Sequence, residues 1–142
     1  MVTCTFFGHR DATDEVKHRL REAIINLIEN NNVDTFLCGT HGNFDRLVKH
    51  TLISLQKVYP HITYTIVLSH LPVTKTTQPL YTNCIYPEGI ENVPPKFAII
   101  YRNKWMIKKS DYVITHVRHN LSNTSKFREI AEKKGKIVIN IE

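Results

Sequence analysis

The 142-residue sequence lacks the patterns that mark several common classes of protein. Its three cysteines, Cys4, Cys38 and Cys84, are too widely spaced to suggest a disulfide framework or a pair of metal ligands. The eight histidines are scattered without an H-E-x-x-H pattern, so we expect no metal site and no cofactor. G-x-S-x-G, P-loop and G-x-G-x-x-G patterns are also missing. Instead, Cys4 and Cys38 lie in apolar runs, which predicts that they fill the core.

Long hydrophobic runs are missing as well. No apolar run approaches the ~20 residues that a membrane-spanning helix needs. The first residues do not show the basic segment, apolar stretch and cleavage site of a secretion signal, so we expect no membrane partner and a cytoplasmic location. The net charge is +6, but Lys and Arg are dispersed, which argues against a nucleic-acid partner.

Apolar strands alternate with amphipathic helices along the chain, and the length predicts one domain spanning residues 1–142. Strands are predicted at residues 2–7, 33–38, 62–68, 112–117 and 137–141. Residues 69–94 have no sustained periodicity and are rich in proline, which predicts a long loop or lid. We therefore expect an α/β fold, with a doubly wound, mainly parallel five-stranded Rossmann-like sheet that carries helices on both faces. An order of 3-2-1-4-5 puts the reversal of winding between the first and fourth strands.

Ligands of such sheets bind beyond the carboxyl ends of the strands, where the winding reverses. The loop after the first strand carries Gly8, His9 and Arg10, a combination that suits a phosphate group. A second interpretation is that Arg10 only pairs with Asp11 or Asp14.

Two further loops reach the same edge of the sheet. The predicted ligand-binding residues in them, together with Arg102 on the helix before the fourth strand, are Gly39, Thr40, His41, Gly42, Asn43, Arg118, Ser122, Asn123 and Thr124. We expect Asn43 to cap the helix that follows it. Asp45 in the first turn either complements the helix dipole or contacts a ribose hydroxyl or a catalytic water.

Five segments, taken in order, resemble proteins of the SLOG superfamily, the Rossmann-like group named after the Smf/DprA and LOG proteins. They are residues 5–10 (TFFGHR), 38–45 (CGTHGNFD), 86–91 (YPEGIE), 101–106 (YRNKWM) and 110–114 (SDYVI). The resemblance implies a site for a nucleotide-derived ligand. Some relatives hydrolyse nucleoside monophosphates, some sense cyclic ADP-ribose-type signals in antiphage defence, and others bind DNA. SLOG-like domains often pair, so the resemblance also implies a homo-oligomer.

The resemblance is incomplete at the loop after the fourth strand. The hydrolases carry P-G-G-x-G-T-x-x-E there, whereas residues 120–127 of this chain read NLSNTSKF. The paired glycines are missing, which favours binding over hydrolysis. We therefore expect a sensor or sequestering protein for an ADP-ribose-like or cyclic nucleotide signal. The alternative is an enzyme that cleaves an N-glycosidic bond, a phosphoribohydrolase or a protein like the deoxyribosyltransferases, with Asp45, Glu88 or Glu129 as its catalytic carboxylate.

Overall fold

The computed structural model describes residues 1–70, 83–118 and 122–141. The strands are β1 (Thr3–Gly8), β2 (Thr35–Cys38), β3 (Thr63–Val67), β4 (Cys84–Ile85), β5 (Tyr112–His116) and β6 (Ile137–Asn140). The helices are α1 (Lys17–Asn30), α2 (Gly42–Gln56), α3 (Ala98–Lys109) and α4 (Asn123–Lys133). Short 3-10 turns occupy Asp14–Val16, Ile90–Asn92 and Pro95–Phe97. No helix in these ranges is long and apolar enough to cross a membrane.

The described strands form one parallel sheet in the order β4-β3-β2-β1-β5-β6. This confirms the predicted fold class and the reversal of winding at β1. The predicted number of five strands is wrong, because Cys84–Ile85 pairs with Ile66 and Val67 as a sixth strand. A strand of two residues is too short to show a period of two, so the sequence carries no pattern for it. Residues 71–82, the middle of the predicted loop or lid, lie outside the described residues.

The core has two parts, one on each face of the sheet. Helices α1 and α2 pack on the face that includes Cys4 and Phe6, whereas α3 and α4 pack on the face that includes Phe7. Successive strand residues point to opposite faces, so β1 supplies both cores and is buried on both sides. Cys4 and Cys38 are buried, as predicted.

The face of α3 that packs on the sheet is not the face that carries its regularly spaced aromatic residues. Phe97, Tyr101 and Trp105 recur every fourth position, but Phe97 is 49% exposed and the other two are only partly buried. The buried positions are one residue further along, at Ala98, Arg102 and Met106. The helix therefore turns an arginine toward the sheet.

The loop after β1 and the first turn of α2 interlock. Gly8 lies against the ring of Phe44, and a Cβ atom on Gly8 would be 2.2 Å from the Cγ of that ring. Gly42, with φ +88°, approaches Arg10 almost as closely, since a Cβ atom on Gly42 would be 2.7 Å from the Arg10 Cα. The Asn43 amide donates to the Arg10 carbonyl oxygen at 2.8 Å. These contacts fix the β1 loop against α2.

Asn43 does not cap α2, contrary to the prediction. The helix begins at Gly42, and His41 is the residue that precedes it, without a side-chain cap. The Asn43 side chain instead donates to the carbonyl oxygen of Ala12 and accepts from Arg46. The side chain of Asn43 therefore forms its hydrogen bonds with other residues and not with the first backbone amides of α2.

Gly8→Ala tests the interlock. The added methyl group overlaps the Phe44 ring, so we expect a loss of about 3 kcal/mol in the free energy of unfolding, measured by urea denaturation. Gly135→Ala is the control, because Gly135 has φ +76° but nothing within 4 Å of its Cβ position. Strain alone costs about 1 kcal/mol there. Equal losses in the two variants would contradict the close packing at Gly8.

Candidate functional site

A pocket of about 530 Å³, called the first pocket below, opens at the carboxyl end of β1, where the winding of the sheet reverses. Its polar lining comes from Gly8, Arg10, His41, Asp45, Arg102, Asn103, Asn123, Thr124 and Lys126. Its apolar lining comes from Phe6, Phe7, Ile99, Ile100, Met106 and Phe127. One strand, two loops and three helices thus meet around one cavity.

Arg102 is the most unusual residue of this pocket. It is only 2% exposed, and its guanidinium is held by four neutral acceptors. Nε donates to Asn103 Oδ1 at 2.8 Å, and Nη1 donates to Thr40 Oγ1 at 3.1 Å and to the Val67 carbonyl oxygen at 3.0 Å. Nη2 donates to His41 Nδ1 at 3.2 Å. No carboxylate of the described residues forms an ion pair with it, and the charge that acts on it is that of Asp45, which lines the same pocket.

His41 is fixed in its neutral form by this arrangement. A guanidinium can only donate, so Nδ1 accepts and the ring proton is on Nε2. Burial lowers the pKa of His41, and the charges of Arg102, Arg10 and His70 lower it further. The ring therefore adds no positive charge near neutral pH.

Asp45 supplies the carboxyl group of the first pocket. Its Oδ2 accepts from the backbone amide of His41 at 3.0 Å. Burial raises the pKa of Asp45 to about 6, although this hydrogen bond and the charge of Arg102 both act to lower it. A carboxyl group with such a pKa exchanges its proton near neutral pH, which is the range that acid–base chemistry requires.

The N-terminus of α4 forms the opposite wall. Ser122 precedes the helix, and its Oγ accepts from the Ser125 amide at 3.1 Å. The amides of Asn123 and Thr124, the first two helical residues, have no partner within the helix. Lys126 follows in the same turn, so amide dipoles and an ammonium group face the cavity together.

The structure brings seven of the predicted site residues around the first pocket: Gly8, Arg10, His41, Asp45, Arg102, Asn123 and Thr124. Arg10 forms no ion pair with Asp11 or Asp14, so that alternative interpretation is wrong. Gly39, Thr40 and Gly42 line a neighbouring pocket instead.

Other predicted residues lie elsewhere. His9 accepts from the Arg118 amide at 2.8 Å and packs edge-on against His116, so it joins the ends of β1 and β5. Arg118 is exposed and does not line the first pocket. Glu88 and Glu129 are not part of its lining either. Of the three candidate carboxylates, only Asp45 lies in the cavity.

Sequence reasoning missed Lys126, Phe127, Ile99 and Ile100, which all line the first pocket. The position of Lys126 in the first turn after a predicted anion-binding loop was a usable signal. The three apolar residues carry no such signal, because the same residue types form the core. In the described ranges, no group of three or more His, Cys, Asp or Glu side chains is placed to hold a metal ion.

Fold and site together define an α/β domain with a basic pocket at the switch point of a parallel sheet. No family model and no curated protein matches the chain. Among solved structures, it is similar to DNA processing protein A (DprA) from Streptococcus pneumoniae, with 16% sequence identity and a TM-score of 0.69. The match covers 99% of this chain and 50% of that chain. At this identity the similarity shows the fold alone, which is the predicted Rossmann-like α/β fold.

The pH dependence of stability tests the environment of Asp45. Because its pKa in the folded protein is raised from 3.8 to about 6, the stabilisation that its protonated form provides is full below pH 3.8 and is lost as the pH rises through about 6. Asp45→Asn keeps an oxygen that can accept from the His41 amide and cannot ionise. We expect the variant to exceed the wild type by about 1 to 2 kcal/mol at pH 7.5 and to match it near pH 4.

Chemical denaturation at both pH values measures this difference. Asp11→Asn, at an exposed position, is the control and should leave stability unchanged at both. A pH-independent difference between Asp45→Asn and the wild type would contradict a buried, ionisable carboxyl group.

Proposed function

We propose that this domain binds a nucleotide-derived small molecule whose anionic group lies in the first pocket. The observation that carries the proposal is Arg102, a cation that is 2% exposed, lines the cavity and has only neutral hydrogen-bond partners. A buried charge without a directly paired counter-charge is costly to the folded protein. A bound phosphate adds negative charge to that of Asp45, the carboxyl group that acts on Arg102 from the same pocket.

Three further groups favour an anion in the same place. Arg10 from the β1 loop and Lys126 from α4 line the pocket from different sides. The α4 amides add the positive end of a helix dipole. Asp45 contributes the single carboxyl group of this lining, so the charged side chains around the cavity carry a net positive charge.

The apolar part of the lining suits the rest of such a ligand. Ile99, Ile100 and Phe127 form a surface on which a flat base can pack. With the SLOG resemblance, this supports an ADP-ribose-like or cyclic nucleotide signal. In that case the domain acts as a sensor or a sequestering protein, and antiphage defence is a process in which such a protein would serve.

Calorimetric titration with AMP, ADP-ribose and cyclic AMP tests the proposal. We expect at least one of them to bind, and Arg10→Gln to weaken its binding about tenfold, since one charge-assisted hydrogen bond contributes about 1.5 kcal/mol or more. Arg118→Gln is the matched control, because this exposed arginine lies on a nearby loop but outside the pocket lining.

Two outcomes would overturn the proposal. One is an absence of heat with every nucleotide at millimolar concentration. The other is tight, steeply salt-dependent binding of a single-stranded oligonucleotide that Arg10→Gln leaves unchanged, since that behaviour belongs to a nucleic-acid surface.

A second candidate function is cleavage of an N-glycosidic bond, and the position of Asp45 favours it. With a pKa of about 6, Asp45 can protonate a departing base while water adds at the anomeric carbon. The other two candidate carboxylates lie outside the pocket.

Incubation with nucleoside monophosphates, followed by chromatography for free base, tests this activity. If the domain is an enzyme, Asp45→Asn should lower the rate at least 100-fold, whereas Glu88→Gln and Glu129→Gln should retain it. Release of free base that is unaffected by Asp45→Asn would exclude Asp45 as the catalytic acid. Binding without any release of base would leave the binding proposal as the complete function.

A further inference from the structure

A second cavity of about 260 Å³ adjoins the first. Its lining comes from the β2–α2 loop, from one side of α2 and from Ile66 at the end of β3. Its charged residues are Asp45, Arg46 and Lys49, so cations outnumber anions here as well. This second pocket takes no part in the function proposed above.

Arg46 is held in position before any ligand arrives. Its Nε and Nη2 donate to Asn43 Oδ1 at 3.0 and 2.6 Å, and the Asn43 side-chain nitrogen donates to the Ala12 carbonyl oxygen. The guanidinium is thus tied through one amide to the loop after β1. A side chain that is oriented in advance loses less conformational entropy on binding.

Lys49 lies one helical turn after Asp45 and three residues after Arg46, so all three share one side of α2. Its charge also acts on the interior, since it lowers the pKa of the Cys38 thiol against the dominant effect of burial. Lys49 lines the second pocket together with Arg46.

Asp45 belongs to the lining of both pockets. Its carboxylate rests on the bare backbone of Gly39, where a Cβ atom would be 2.6 Å from Oδ2. Positive groups lie on both sides of it: Arg10, Arg102 and Lys126 in the first pocket, Arg46 and Lys49 in the second. A carboxylate between two cationic pockets repels an anion at its own position and accepts hydrogen bonds from hydroxyl groups.

We propose that the second pocket binds a second anionic group of the same ligand, so that the domain selects a sugar with phosphates on both sides of its free hydroxyl. The first pocket holds one phosphate, the sugar hydroxyl donates to Asp45, and Arg46 and Lys49 hold the other phosphate. A nucleoside 2′,5′-bisphosphate, whose free 3′-hydroxyl lies between its two phosphates, has this chemistry. The inference rests on the proposed function, because it needs the first pocket to bind an anion.

The test compares AMP with adenosine 2′,5′-bisphosphate and adenosine 3′,5′-bisphosphate by calorimetry. We expect the 2′,5′ isomer, whose free hydroxyl lies between its phosphates, to bind at least tenfold more tightly than AMP. A preference for the 3′,5′ isomer alone would contradict the position assigned to the hydroxyl. Arg46→Gln and Lys49→Met should each reduce this preference severalfold and leave AMP binding unchanged, whereas Lys49→Arg should preserve it. Lys57→Met, after the end of the same helix, is the matched control and should change neither affinity.

ADP distinguishes binding at the second pocket from a general effect of the ligand's charge, because its additional phosphate extends from the 5′ end. We expect Lys49→Met to leave the affinity for ADP unchanged. The inference is overturned if both bisphosphates bind no better than AMP. It is also overturned if ADP binds as tightly as the bisphosphates and if Lys49→Met lowers its affinity by as large a factor as it lowers theirs.

Failure of the proposed function gives a different result. In that case none of the four nucleotides binds, and the inference about the second pocket fails with it. If AMP binds and Arg10→Gln weakens it while the bisphosphates show no preference, the first proposal stands and only the second is wrong.

Discussion

The buried charge of Arg102 connects several elements at the edge of the sheet where β1 ends. The acceptors of the Arg102 guanidinium come from the end of β3, the loop after β2 and the neighbouring residue of α3. It therefore fixes α3 against two strand ends and forms a wall of the cavity at the same time. Each of these acceptors is neutral, so the hydrogen bonds solvate the charge without cancelling it. Its positive charge adds to those of Arg10 and Lys126 in the lining of the cavity.

Asp45 and Arg102 influence each other without forming an ion pair. The arginine charge acts to lower the pKa of Asp45, the carboxylate acts to raise the pKa of Arg102, and burial opposes both effects and dominates. A direct pair would neutralise both groups and leave the pocket with little attraction for a ligand. Because they are not directly paired, Asp45 is able to change its charge near neutral pH.

The sequence predicts the sheet well and the chemistry of its edge only in part. Alternation of apolar strands and helices is enough to identify the strand order around β1, and therefore the place where Gly8, Arg10 and Thr124 meet. It misses β4 because two residues show no period. It includes Arg102 among the ligand-binding residues, but the aromatic spacing of Phe97 and Trp105 does not reveal that this arginine is buried against the sheet. A pattern of apolar residues gives no reason to bury an arginine. The burial of Arg102 depends on acceptors from the loop after β2 and from the end of β3, which are distant in sequence.

The interlock between the β1 loop and α2 has a mechanical consequence. Arg10 and Arg46 face different pockets, yet both are attached to the same short stretch of backbone, through the Gly42 contact and through the bridge from Asn43 to Ala12. The separation of the two side chains is therefore set by this stretch of backbone. A molecule that contacted both guanidinium groups would have to match that separation.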